Sequence, residues 1–137
     1  MIAVFSVSRE HSASIFEGKR NVFVKYTNFG KLTKDSKIVF YISKEKILIG
    51  EGKIEKIYDA TPDAIWARFG EQIFLDYSQY VQYTTVSPVE KMPRKKQLLK
   101  AFVLKEVRKY KQEIEWKHGF APSGCYLAAE EYSRMVT

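Results

Sequence analysis

Few side chains in this 137-residue sequence are of a type that makes or breaks bonds near neutral pH. Histidine occurs twice, as His11 and His118, and cysteine once, as Cys125. Ser8, Glu10 and His11 supply the three types of a nucleophile, an orienting acid and a base. Neighbours on one helix do not face one another, however, so the trio makes no triad and His11 reads as an exposed histidine. Cys125 pairs with His118 only if a turn brings them together, and it reads instead as a small buried thiol. A single cysteine closes no internal disulfide, and the two histidines leave no CxxC or HExxH spacing for zinc. No metal and no cofactor is therefore expected. Gly50-Glu51-Gly52 runs on into strand pattern rather than a helix, so its glycines are structural and do not cradle phosphate.

Binding chemistry is better represented than covalent chemistry. Lysine and arginine number 23 against 16 acidic residues, a formal charge of +7. The excess is concentrated, because residues 91–111 hold nine basic side chains (Arg94, Lys95 and Lys96 among them) against Glu106 alone. Residues 17–37 hold six, including Lys19, Arg20, Lys25 and Lys31, against Glu17 and Asp35. Two basic segments over a mildly acidic remainder suit a phosphate-binding face. The segment Lys25-Tyr26-Thr27-Asn28-Phe29-Gly30-Lys31 alternates cationic, aromatic and amide groups after a strand. That mixture stacks on a base, reads its edge and holds a phosphate; it suits equally well a solvated loop with one aromatic tucked beneath it. Arg94-Lys95-Lys96 likewise reads as a solvated connector or as part of the basic face.

These residues are positioned by elements legible from periodicity. Alternation of β-branched and aromatic residues marks strands at Ile2–Val7, Asn21–Tyr26, Lys37–Ile42 and Lys46–Tyr58, the last bent by Gly50 and Gly52. The second strand places Phe23 with Asn21 and Lys25 on one face and Val22, Val24 and Tyr26 on the other. Ser8 caps a short helix from about Arg9 to Phe16, with Gly18 as its left-handed exit. Thr61-Pro62-Asp63 starts a second helix that Gly70 stops, and Asp76–Tyr83 is a third. Leu98–Lys105 returns to strand, Ile114–Trp116 reads as one more short strand, and Leu127–Met135 as a C-terminal helix. The order fits an α+β domain on a small curled or closed mixed sheet, with residues 1–137 as a single domain. No apolar stretch is long enough to span a membrane and no leader is legible, so a cytoplasmic protein with no membrane partner is expected.

Several of these segments carry a family likeness. Phe5-Ser6-Val7, the helix ending Ile15-Phe16-Glu17-Gly18-Lys19-Arg20, and the strand Val22-Phe23-Val24-Lys25 resemble the opening of PUA-like domains, in particular the ASCH branch. Lys34-Asp35-Ser36-Lys37-Ile38-Val39-Phe40-Tyr41 and Ile49-Gly50-Glu51-Gly52-Lys53-Ile54 are similar to that superfamily's third and fourth strands. Over nearly the whole chain, including Phe74-Leu75-Asp76 and Ser123-Gly124, the sequence resembles an uncharacterised, mainly archaeal family of unknown function. The resemblance implies a small pseudo-barrel. Many PUA-like domains bind RNA or modified bases in a cleft by the first helix, and a few ASCH members are amidohydrolases acting on modified nucleosides. The ASCH pattern is Gly, any residue, Lys, two residues, Glu or Thr, any residue, Arg. Gly18 matches it, while Arg20, Phe23 and Lys25 replace the lysine, the Glu or Thr, and the arginine. Arginine does not shed its proton to act as a base, and phenylalanine is neither acid nor nucleophile. A cationic lining survives the substitutions.

The leading expectation is a non-catalytic module for RNA, transfer and ribosomal RNA included. Arg9, Arg20, Lys25 and Lys31 would contact phosphate or a base edge, Tyr26 or Phe29 would stack, Asn28 would hydrogen-bond a base, and Arg94, Lys95 and Lys96 would extend the basic face. The alternatives are an ASCH-type amidohydrolase using Lys19 or Lys25 near Glu51, and a small-molecule or protein-interaction module whose basic surface serves solubility.

Overall fold

The computed structural model describes residues 2–18, 20–26, 32–85, 98–116 and 125–136. Six strands form one mixed sheet: β1 (Ile2–Ser6), β2 (Val22–Lys25), β3 (Lys37–Ile42), β4 (Ile47–Ala60), β5 (Leu99–Glu115) and β6 (Cys125–Leu127). Their order across the sheet is β2-β5-β4-β3-β1-β6, and among the described residues the edges β2 and β6 do not pair with each other. The sheet is curled but not closed. β1 and β3 are parallel, which requires a crossover, and α1 (Arg9–Phe16) with β2 provides it. The other neighbouring pairs are antiparallel. The remaining helices are α2 (Pro62–Phe69), α3 (Tyr77–Thr85) and α4 (Ala129–Val136), with a short 3₁₀ turn at Gly70–Gln72.

Strand alternation sorts the apolar residues into two cores. Ala3 and Phe5 of β1, with Ile38, Phe40 and Ile42 of β3, enter the larger core, while Val4, Val39 and Tyr41 between them face a smaller one with Leu48, Tyr110, Trp116, Leu127 and Tyr132. β2 departs from this rule, because Val22, Phe23 and Val24 are all buried in the larger core. Its expected outward face is covered by the chain before α3: Val22 bridges to Ile73, and the Phe74 amide donates to the Val22 carbonyl at 3.0 Å. Phe23 then lies among Phe74, Phe40, Phe5 and Phe102, with centroids 5.0, 5.4, 5.8 and 6.4 Å away. Such spacing is favourable for aromatic packing beyond the area buried.

The helix starts follow their capping residues. The Ser8 hydroxyl accepts the His11 amide at 3.1 Å, and Thr61 Oγ1 accepts the Ala64 amide at 3.4 Å. Gly18 and Gly70 take left-handed φ of 78° and 46° at the exits. Two segment boundaries are corrected. The separate strands expected at Leu98–Lys105 and Ile114–Trp116 are parts of the 17-residue β5, which runs through the charged residues between them. Pairing with β4 carries it past that break in alternation, with register shifts near Leu48/Gly50, Glu51/Lys53 and Ile54/Lys56. The C-terminal helix begins at Ala129, not Leu127. Leu127 ends β6 opposite Ile2, and its buried side chain belongs to the smaller core.

Gly50 and Gly52 lie at register shifts of β4, Leu48/Gly50 and Glu51/Lys53, where the sequence places a bend, but conformational freedom is not the reason at Gly50. A Cβ there would stand 2.4 Å from Phe16 Cζ and 2.6 Å from the Arg108 carbonyl oxygen. The absent side chain is what lets α1 lie on the sheet. Gly50→Ala is expected to lower unfolding free energy by about 1–3 kcal/mol through overpacking. Gly52→Ala, whose Cβ would meet a Val107 methyl at 3.2 Å, is expected to cost distinctly less. Urea unfolding of the two variants side by side checks the order.

Candidate functional site

A cleft of about 450 Å³ opens between the end of β1, α1, β2 and α3. Its volume lies within the range of about 300–1,000 Å³ usual for small-ligand sites. Val7, Phe23, Val24, Phe74 and Leu75, all buried, give it an apolar floor. The rim is polar, made by Ser6, Ser8, His11, Lys25, Gln79, Gln82 and Tyr83. His11 stands in the first turn of α1, half-buried, with its ring edge-on to Phe74 at 6.0 Å. Lys25 ends β2 opposite Lys100, whose ammonium is held by Asp59 at 2.8 Å; that carboxylate offsets the cost of two like charges placed directly across the strands. At the head of α3 the Asp76 amide donates to Gln79 Oε1 at 3.0 Å while the Gln79 amide donates to Asp76 Oδ1 at 2.8 Å. This reciprocal pair is a capping box, and it fixes Gln79 at the cleft wall. The Tyr83 hydroxyl accepts the Tyr26 amide at 3.2 Å, and the two rings lie 5.5 Å apart. No carboxylate lines the cleft among the described residues. The arrangement suits a flat, largely neutral ring with an anionic attachment; among the described residues its lining holds a histidine but no acid to orient it.

Of the sequence candidates, Lys25 lines the cleft and Tyr26 packs beside it. Arg9 points elsewhere. Its guanidinium is bidentate to Glu45 at 2.8 and 2.9 Å and reaches Glu113 at 2.7 Å, and it borders a second recess with Phe16, Glu17 and Lys109. These hydrogen bonds to the two acids hold its pKa above the usual arginine range. Arg20 is half-buried and does not line the cleft. Lys19, Asn28, Phe29, Lys31, Arg94, Lys95, Lys96 and His118 lie outside the described residues, as does the side chain of Cys125. His11, read from sequence as an exposed histidine, is part of the cleft wall. Gln79, Gln82, Tyr83 and Phe74 escaped the sequence reading because they come from a segment remote from β2; the Asp76-x-x-Gln79 spacing was the one local signal available.

The structure separates Glu51 from Lys25. Val4, Val39, Glu51 and Arg108 are successive cross-strand partners from β1 to β5, and Val4 and Val39 belong to the smaller core. Alternation thus sends the Glu51 carboxylate to the opposite side of the sheet from the cleft. It is 4% exposed. There it accepts from the hydroxyls of Tyr132 and of Tyr110, the latter at 3.1 Å, and pairs with Arg108 at 3.1 Å and Lys37 at 3.3 Å. Burial pushes its pKa up, but the Tyr132 hydroxyl and the two cations outweigh this and hold it below the ordinary value of 4.5. Burial and the same carboxylate push Tyr110 well above the usual tyrosine range. The more basic segment is partly consumed in the same way, since Lys105 pairs with Asp35 at 2.7 Å and Lys100 with Asp59 at 2.8 Å. Among the described residues no group of three His, Cys, Asp or Glu side chains is placed to hold a metal ion, and no helix is long and apolar enough to cross a membrane.

Residues 1–129 match the family model described as Domain of unknown function (DUF365). An uncharacterized protein of Methanocaldococcus jannaschii is 27% identical over 104 residues, covering 73% of this chain and 96% of that one. Among solved structures, the ASCH protein from Zymomonas mobilis superposes with a TM-score of 0.78 at 23% identity, covering 98% of this chain and 93% of the other. The N-terminal domain of Staphylothermus marinus McrB superposes with a TM-score of 0.59 at 13% identity, covering 98% and 91%. The fold is thus the ASCH type of PUA-like architecture.

Neutralising Glu51 leaves Lys37 and Arg108 without their shared counter-charge, so Glu51→Gln is expected to cost about 1–3 kcal/mol of stability. The pH dependence has a definite sign. A carboxyl whose folded pKa is depressed contributes stability fully above its unfolded value, here 4.5, and loses it as pH falls through the lower folded value. Melting temperatures of the parent should therefore fall more steeply than those of Glu51→Gln as pH is lowered through that window.

Proposed function

The chain belongs to the DUF365 family, and from that premise we propose that it is a non-catalytic RNA-binding module of the cytoplasm that seats one base or modified nucleotide in the cleft beside α1. The observation that carries this reading is the cleft itself: an apolar floor centred on Phe23 and Phe74, a cation at Lys25 and a polar rim that among the described residues has no carboxylate. An aromatic floor takes the face of a base, amide and hydroxyl groups meet its edge, and the ammonium meets the attached phosphate. The position by the first helix agrees with the PUA-like resemblance, and a sequence pI near 9.4 favours a polyanionic partner. Arg20 and Tyr26 flank this cleft in sequence. Asn28, Phe29, Lys31 and the run Arg94, Lys95 and Lys96 would add stacking, edge and phosphate contacts to a longer strand, with transfer or ribosomal RNA as its source.

The amidohydrolase alternative finds less support. Phe23, which stands where the ASCH pattern has Glu or Thr, is buried among aromatic rings, and Glu51, the acid the alternative relied on, faces the other side of the sheet. Purified protein is expected to release no acyl group from N4-acylated cytidine above a buffer blank.

Fluorescence titration with short single-stranded RNA tests the binding reading. Affinity should fall steeply with salt, by a log–log slope of about 0.7 per neutralised phosphate. Lys25→Ala should flatten that slope by about one such unit and weaken all sequences alike. Tyr26→Ala, provided its melting curve remains cooperative, should cost about 1–3 kcal/mol with little change in slope if the ring stacks on a base. Absence of binding at low salt, or binding indifferent to both substitutions, overturns the proposal and favours an interaction module for small molecules or proteins.

A further inference from the structure

The hydrogen-bonding polarity of the cleft wall is set by contacts that belong to the fold, and from it we infer that the cleft selects bases presenting a carbonyl, such as uracil or hypoxanthine, over their amino counterparts. This deepens the RNA-binding reading and rests on it. The key residue is Gln79. The atom that receives the Asp76 amide proton must be the side-chain oxygen, because a backbone N–H only donates. The usual ambiguity in orienting an amide is thereby removed. With Oε1 turned to the Asp76 amide, the other end of the Gln79 amide is its NH₂, a pure donor. Ser8 is biased in the same direction, for its oxygen accepts the His11 amide at 3.1 Å and its hydroxyl proton is left to give. Lys25 only donates. The lining contains no carboxylate among the described residues, and His11 and Gln82 adapt to either polarity. A carbonyl directed at Gln79 accepts from that NH₂, whereas an exocyclic amino group there leaves two donors facing each other. A site built from donors rejects the wrong edge chiefly through the polar groups it leaves unpaired.

The test uses the full chain and two pairs of nucleotides that exchange an exocyclic carbonyl for an amino group, with the adjacent ring nitrogen changing from N–H donor to acceptor: uridine against cytidine 5′-monophosphate, and inosine against adenosine 5′-monophosphate. Calorimetric or fluorescence titration should give the carbonyl member of each pair about fivefold to tenfold the affinity of the amino member. Gln79→Glu is the informative variant. A glutamate keeps an oxygen for the Asp76 amide, so the start of α3 is retained, while the free group changes from donor to acceptor. Its added negative charge weakens all four phosphates equally and cancels in each ratio. The variant should abolish or reverse the preference in both pairs. Equal binding of the pairs by the parent protein overturns the inference, as does a carbonyl preference that persists in a cooperatively melting Gln79→Glu. The parent ratios decide the matter even if the variant does not fold. Failure of all four nucleotides to bind instead overturns the nucleobase reading itself.

Discussion

The pairing of β4 with β5 is the constraint on which the rest of the structure depends. It is the longest contact in the sheet, and three register shifts along it keep the ribbon paired while turning it. The turn lets a short edge strand, β2, continue the sheet beyond β5 and bury both of its faces, which is how Phe23 comes to lie among four other aromatic rings. The same ribbon supplies the backbone at Gly50 against which Phe16 rests, and so sets the height of α1 above the sheet. Cleft, cores and ion pairs are arranged around a pairing whose irregularities are part of its design.

Much of this was legible in the sequence where a local rule governs. Ser8, Thr61, Gly18 and Gly70 announce the ends of α1 and α2 through their own side chains or lack of them, and β1 and β3 show clean alternation because each of their faces meets a different core. β2 was harder. Alternation assumes one covered face, and here a segment about fifty residues later in the chain covers the second. The charged middle of β5 breaks its alternation into two fragments; those charges are tolerated since the strand's hydrogen bonds run to β4 and its side chains find carboxylates on neighbouring elements.

Charge shows the limit of reading a site from composition. A run of cations in sequence is a candidate surface only until its acids are located. Lys100, Lys105 and Arg108 come from the more basic segment, and each meets an acid from elsewhere in the chain: Asp59, Asp35 and Glu51. Arg9 is likewise engaged by Glu45 and Glu113. Such pairs are individually worth little where they are exposed, yet together they draw these four cations onto acids of the chain's own. Lys25 is singled out by its place in the cleft lining, not by the abundance of lysine around it.

The two walls of the cleft hang from different parts of the molecule. α1 is fastened to the ribbon side, by Phe16 over Gly50 and by Arg9 to Glu45 and Glu113. α3 is fastened to the other side, by the Tyr80 hydroxyl on the Pro62 carbonyl at 2.7 Å and by Tyr83 beneath the Tyr26 amide. His11 on α1 stands edge-on to Phe74, whose amide is tied to Val22 of β2. The two sides of the cleft are held by separate sets of contacts, so a substitution that loosens α3 at Tyr80 leaves the Phe16 and Arg9 anchors of α1 in place.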